Sequence, residues 1–383
     1  MLALPLVGFL LLAFYLPIGA SLLKAVDGSE VADALPRTSI ALSEWGDAPL
    51  PGETVYAALV ADLAAVADPK IFGAMTRRLN FEQPGLRSLM MRTKAAVDDL
   101  SPPYSESLPQ IDPDWAKSES WGIVRTAMAP WTATYLLRAF DLRPLPLGGI
   151  GAVAPDQAIF VTLFARTIEI GLCVTLLCVV LGYPTAWLLA FSSGWVARLS
   201  LLCVLVPFWT SILIRSTAWF ILLQREGPIN AVLQFAGLAD APRTLIFTRS
   251  AVYVAMVHVL LPFFILPLYS VMKRVDPQYL RAAASLGAPP WRQFLHVYLP
   301  LTLPGVAAGG LIVFVLAVGF YVTPAMVGGI QDQMVGYYVE YFTNTAVNPG
   351  MAAALSILIL IFTALIMWPA GRLLQFKGSG KEK

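Results

Sequence analysis

Apolar runs about as long as a bilayer is thick recur along this chain, and they constrain its fold more than any other feature. A helix needs about 20 predominantly apolar residues to cross the hydrocarbon. The runs lie at Leu2 to about Leu23, Phe160–Phe191, Leu201–Leu223, Ala251–Met272, Leu301–Val322 and Met351 to about Leu374. Lipid offers backbone groups no hydrogen-bond partners, so such runs must cross as helices. The expected fold is an all-α integral membrane protein with six transmembrane helices. Composition agrees: 57% of the 383 residues are hydrophobic and only 13% charged, about half the charge of a soluble domain.

The first run lacks a basic n-region, and it is longer than the usual 7–15 residue core of a signal peptide. It reads as a retained span kinked at Pro17. The chain then divides into a first transmembrane helix (1–23), an extracytoplasmic insertion (24–155), a five-helix core (156–375) and a short tail (376–383). The insertion opens with turn-rich sequence from Asp27 to Glu53. Helical spacing follows in TVYAALVADLAAVA, PKIFGAMTRRLN and GLRSLMMRTKAAVDDL. SPPYSESLPQIDPDW reads as loop, and the stretch from Ser118 to Phe140 as a helix interrupted at Pro130. Between the fifth and sixth runs, Pro324, Gly328 and Gly329 argue for a re-entrant or interfacial stretch.

Short-loop basic residues set the orientation. Arg198, Lys273, Arg274, Arg281, Arg292, Arg372, Lys377, Lys381 and Lys383 fall on one side, and Arg225, Arg243 and Arg249 on the other. Nine against three places the first group, with both termini, in the cytoplasm and the insertion outside.

The sequence excludes several classes. Basic residues are not clustered, which removes nucleic acid as a partner. HExxH, GxSxG and GxxxxGK[ST] are absent, so no catalytic residue, cofactor or metal ligand is expected, and ATP must be hydrolysed by another subunit. Cys173, Cys178 and Cys203 lie in apolar runs and read as small hydrophobes. Candidates for the transport path are few. Glu169 is an acid inside a span, where charge is costly and functional by default. It could face a cationic cargo, or simply pair with Arg166 three residues before it, which is the favoured reading. His258 suits an interhelical hydrogen bond. Trp209, Trp219 and Tyr321 could line the path or belong to an interfacial aromatic belt. Glycines and prolines at Gly182, Pro184, Pro207, Pro262, Pro267, Gly309, Gly310 and Gly319 are read as breaks in the spans, suited to a bundle that rocks between states.

One polar interruption, Asp276–Pro304, carries its own helix punctuation. Asp276-Pro277 is an N-cap followed by proline at the first helical position. Gly287 supplies a left-handed stop. Pro289-Pro290 opens a second short helix before Leu299-Pro300. This helix–turn–helix resembles the EAA loop of permease subunits of binding-protein-dependent ABC importers. The matching positions are Arg281-Ala282-Ala283, Gly287, Val297 and Leu299-Pro300, with Arg281 where the family most often has Glu. LGYPTAWLLA, VPFWTSILIRSTAWFILL and VTPAMVGG look like the polyamine branch, the spermidine/putrescine importers.

The resemblance implies a type I importer permease whose loop 276–300 couples to the ATPases through Arg281, Ala282, Ala283, Gly287, Val297, Leu299 and Pro300. It implies two cytoplasmic ATPase subunits, a second permease subunit that is a different chain, and a periplasmic binding protein. It places the chain in a bacterial inner membrane, with a polyamine as the expected cargo. Other small solutes (an opine, an amino-acid derivative, a metal-linked anion) stay open. A secondary transporter is a more distant alternative, since neither internal repeats nor paired intramembrane acids are seen.

Overall fold

The computed structural model describes residues 4–46, 48–145 and 149–376. They form two compact units, one of residues 1–160 with 339–357, the other of 161–338 with 358–383. Leu2 and the tail 377–383 lie outside the described residues.

Among the described residues five helices are long and apolar enough to span: Leu4–Leu23, Phe160–Phe191, Arg249–Met272, Pro290–Val318 and Pro349–Trp368, the last continuing to Phe376. The expected third span is not one straight helix. Gly194–Trp209 and Ile212–Leu222 meet at a 102° bend, and counting this pair as one span makes six. Pro207 withdraws a donor, the turn tightens over Val206–Trp209, and Ser211 starts the next helix by accepting from the Leu213 N–H (3.3 Å).

Most of the expected breaks are not breaks. The helices run through Gly182, Pro184, Pro262, Pro267, Gly309 and Gly310. The glycines serve close packing instead. A side chain on Gly309 would lie 2.8 Å from the Phe264 carbonyl oxygen, and one on Gly182 would lie 2.4 Å from the Phe264 ring. Spans two and five therefore approach span four around one buried phenylalanine, as small residues permit in membranes. Span five also differs from its expected limits. The loop's second helix joins it, through a widened turn at Phe294–Tyr298 that removes the clash Pro300 would cause. It ends at Gly319, and Val322–Val327 forms a separate short helix.

The insertion has its own core. Tyr56, Trp115 and Trp121 are buried together, with ring centroids 4.8 Å apart for both Tyr56–Trp121 and Trp115–Trp121. Their polar atoms are satisfied: Trp115 Nε1–H donates to Thr93 Oγ1 (2.9 Å), and Trp121 Nε1–H to the Trp115 carbonyl (3.0 Å). Two stretches read as turn or loop are helical here, Ser29–Ala34 with Pro36–Ser43, and Tyr104–Ile111. Distant carboxylates cap them. Asp62 accepts from the Thr38 N–H and hydroxyl, each at 2.8 Å. Glu53 accepts from the Tyr104 N–H (2.5 Å) and the Ser105 N–H (2.8 Å). A short hairpin pairs Leu142–Pro144 with Ile150–Ala152.

Candidate coupling loop and membrane path

The loop after span four begins as its punctuation requires. Asp276 Oδ1 accepts from the Gln278 N–H (2.9 Å), and the helix Pro277–Ser285 follows. It closes in a Schellman turn. Gly287 has φ +81°, its N–H donates to the Ala284 carbonyl (2.9 Å), and the Ala288 N–H reaches back to the Ala283 carbonyl (3.1 Å). No residue of this helix is buried. Arg281 and Ala282 are exposed and Ala283 is half-buried, while Leu286 at the turn is 89% exposed. Apolar Tyr279 and Trp291 are also open.

The second limb is held differently. Val297, Leu299 and Pro300 are half-buried within the long helix that becomes span five. Phe294 meets the ring of Tyr183 edge-on at 5.8 Å, Tyr298 lies 5.6 Å from Phe191, and the Tyr183 and Thr302 hydroxyls are hydrogen-bonded (2.9 Å). The second limb of the hairpin is thus continuous with span five and fastened to span two, whereas the first rests on the core through half-buried Leu280 and leaves its other face open.

Towards the opposite ends of the spans lies a charge cluster that corrects the expected Arg166–Glu169 pair. Glu169 Oε1 accepts from Arg249 Nη1 (2.9 Å), at the start of span four. The same guanidinium donates through Nε to Asp332 Oδ1 (2.9 Å), and Asp332 Oδ2 accepts from the Gly329 N–H (3.2 Å). Arg166 instead donates to the Gln333 carbonyl (3.4 Å), and Thr167 Oγ1 accepts from the Val335 N–H (3.0 Å). Spans two and four therefore clamp the segment around Gly328 and Gly329. The i, i+3 pair fails because a geometrically better partner, distant in sequence, outcompetes it. An open cleft of about 780 Å³ adjoins the cluster, lined by Phe247, Arg249, Ile330 and Asp332 among others.

The aromatic candidates scatter. Trp219 Nε1–H donates to His258 Nδ1 (3.1 Å), so that histidine makes the expected interhelical bond and carries its proton on Nε2. Trp209 is 76% exposed at the bend and Tyr321 is 40% exposed after span five. The structure does not bring these two to Glu169 in any contact. Of the cysteines, Cys178 is buried, Cys173 half-buried and Cys203 exposed. Among the described residues no group of three or more His, Cys, Asp or Glu side chains is placed to hold a metal ion.

Two participants escaped the sequence reading. Arg249 was counted only as a loop charge. Arg215 sits inside the second limb of the bent span with its Nε buried and without a hydrogen-bond partner. An arginine interrupting ILIRSTAW is itself a signal, since such charges face protein or water.

Residues 179–375 match the model of the binding-protein-dependent transport system inner membrane component. That match covers half of the chain. The chain belongs to this family. Relatives include the spermidine/putrescine transport system permease protein PotB of Salmonella typhimurium, 38% identical over 217 residues, covering 56% of this chain and 76% of that protein. PotB of Escherichia coli is 38% identical over 215 residues, covering 55% and 78%. The molybdenum transport system permease protein ModB of Mycobacterium bovis is 32% identical over 198 residues, covering 51% and 73%. Among solved structures, a chain of the inward-facing MetNI methionine ABC transporter is 19% identical and covers 58% of this chain and 98% of that one, with a TM-score of 0.46. This permease is thus the transmembrane subunit of an ABC importer, a transporter rather than an enzyme. It is a multi-pass inner-membrane protein that works with ATPase subunits and a periplasmic binding protein. The family match begins at residue 179, so it leaves the insertion outside.

Proposed function

We propose that this permease imports a polyamine, and that the hairpin Asp276–Pro304 transmits ATPase closure to the spans. The observation that carries the coupling role is the asymmetry of the hairpin. Its first limb has no fully buried residue: it rests on the core through half-buried Leu280 and presents Leu286, Tyr279 and the small surface of Ala282. Its second limb is continuous with span five and fastened to span two by aromatic contacts. A push on the first limb is delivered to the bundle through the Gly287 turn. Arg281 faces the docking side as an exposed charge. The cargo reading is supported by the two relatives named for spermidine and putrescine.

The partner permease is proposed to be a second, different six-span chain. His258 is exposed on span four and Glu169 on span two. Such groups are costly against lipid and suit a protein–protein seam or a water-filled path. Glu169, Trp209, Trp219 and Tyr321 remain candidates for lining that path.

A second reading, an anionic cargo, is favoured by Arg215 and by the relative named for molybdenum transport. The two readings separate in one experiment. The permease is reconstituted with its ATPases and binding protein, and uptake of labelled putrescine, spermidine and molybdate is compared. Saturable polyamine uptake that needs ATP is the expected result. ATP-dependent molybdate uptake without polyamine uptake would overturn the cargo assignment and leave the coupling role standing.

Orientation is tested separately. With the bent pair counted as one crossing, the excess of basic residues puts both termini and the hairpin in the cytoplasm and the insertion outside. A cysteine at Ser105 should react with an impermeant thiol reagent added outside intact cells, and one at Gln278 should not. The scoring uses a variant with Cys173, Cys178 and Cys203 replaced by serine or alanine. The opposite labelling would invert the topology and remove the hairpin from the ATP-containing side.

A further inference from the structure

Three arginines of the insertion meet at one cleft. Arg77, from the helix Pro69–Glu82, Arg87, from Leu86–Ala95, and Arg138, from Thr134–Arg138, line a space of about 710 Å³. None of its lining residues carries a carboxylate. The Nε of Arg77 is buried there without a hydrogen-bond partner. Arg138 donates to a neutral acceptor, Gln157 Oε1 (2.8 Å), and lies over the Phe81 ring at 5.6 Å. Burial pulls the Arg138 guanidinium below its ordinary range; the Glu82 carboxylate opposes this, Arg143 adds to it, and Asp141 opposes it again. Beyond Arg138 a smaller cleft carries Arg143 with Glu82 and Glu119, whereas the larger one is lined by arginines without a carboxylate.

The other wall of the larger cleft belongs to the ends of membrane spans. Gln157 lies three residues before span two begins at Phe160, and Asn348 immediately precedes span six at Pro349. Tyr341 and Phe342 complete that wall, and the Phe342 ring lies 6.2 Å from that of Phe160. Span ends sit at headgroup level, where aromatic rings gather and arginines attract anionic lipid. Arginine is also the side chain that grips a phosphate through two parallel hydrogen bonds.

We infer that this cleft holds the phosphodiester of an anionic phospholipid, gripped by Arg77, Arg87 and Arg138, and so seats the insertion on the membrane surface. The site does not depend on which leaflet faces the insertion or on the cargo. An acidic face of the binding protein would use the same charges, but the position beside two span ends favours lipid.

The full chain is tested in its complex with the other transporter subunits. It is extracted from nanodiscs containing phosphatidylglycerol and phosphatidylcholine, and retained lipid is counted by native mass spectrometry. Wild type should retain phosphatidylglycerol selectively. Each surface arginine contributes about 1 kcal/mol to such attraction, about fivefold in affinity. Arg87→Gln should therefore lose about fivefold, and the triple change Arg77→Gln, Arg87→Gln, Arg138→Gln about a hundredfold. Arg87 is exposed, so its single variant keeps the idea testable if the triple variant does not fold. Equal retention by wild type and Arg87→Gln would overturn the assignment. So would inorganic phosphate displacing the lipid at millimolar concentration, which would indicate a free-phosphate site. Loss of binding-protein stimulation in Arg87→Gln with lipid retention unchanged would assign the cleft to the protein partner instead.

Discussion

Replacing Gly287 with valine should uncouple the transporter while leaving the permease inserted and folded. Gly287 holds φ +81°, a conformation that costs an L-residue about 1–2 kcal/mol. A Cβ there would meet nothing within 4 Å, so the variant suffers no clash and its effect is purely one of backbone geometry. Relief of that strain must come from the Schellman turn, whose two hydrogen bonds set the angle between the limbs. A 1–2 kcal/mol bias lowers the population of the working geometry about five- to thirtyfold, and valine adds branching at Cβ to this. The expected outcome is a fall of roughly tenfold or more in binding-protein-stimulated ATP hydrolysis and in uptake, with unchanged membrane yield. Gly287→Asn, which tolerates the left-handed region better, should stay near wild type. A Gly287→Val complex with normal stimulated ATPase activity would show that the turn does not carry the coupling.

Removing the charge of Arg249 should be the most damaging change near the span ends opposite the hairpin. Its guanidinium links Glu169 of span two to Asp332 of the segment between spans five and six. Arg249→Met leaves two carboxylates without their shared partner. The contributions are unequal. Glu169 is 52% exposed and its arm, screened by solvent, is worth about 0–1 kcal/mol. Asp332 is 10% exposed, and loss of a charged hydrogen bond there costs about 1.5–3 kcal/mol. The expected order of destabilisation, read from thermal unfolding in detergent, is Arg249→Met, then Asp332→Asn, then Glu169→Gln. Arg249→Lys should recover part of the loss, since one ammonium cannot match both carboxylates as a planar guanidinium does. The double change Arg166→Gln/Glu169→Gln should be much less non-additive than a direct ion pair would make it, because those two side chains share no bond and couple only as neighbours on one helix. An Arg249→Met protein that melts and transports like wild type would exclude the clamp.

Much of this architecture was legible in the chain itself. Span positions follow from apolar length, because lipid leaves the backbone no other solution. The hairpin Asp276–Pro304 was legible for a related reason: Asp276, Pro277 and Gly287 act through bonds to residues two to five positions away, which sequence displays directly. The family also followed from that local punctuation and from short ordered stretches.

Other features needed the tertiary structure, and each has the same cause. Glycines 182 and 309 looked like breaks, because a sequence shows the missing side chain but not the Phe264 that occupies its place. The helices Pro36–Ser43 and Tyr104–Ile111 looked like turn and loop, because their capping carboxylates, Asp62 and Glu53, stand 24 and 51 residues away in sequence. Glu169 looked like the partner of Arg166, because spacing reveals only neighbours on one helix, whereas Arg249 lies 80 residues further on. Local propensity and apolar length decide which segments form and where the chain enters the bilayer. Which charges meet, which glycines are filled and which arginines share the cleft of the insertion are decided by contacts between distant segments, and only the folded chain creates them.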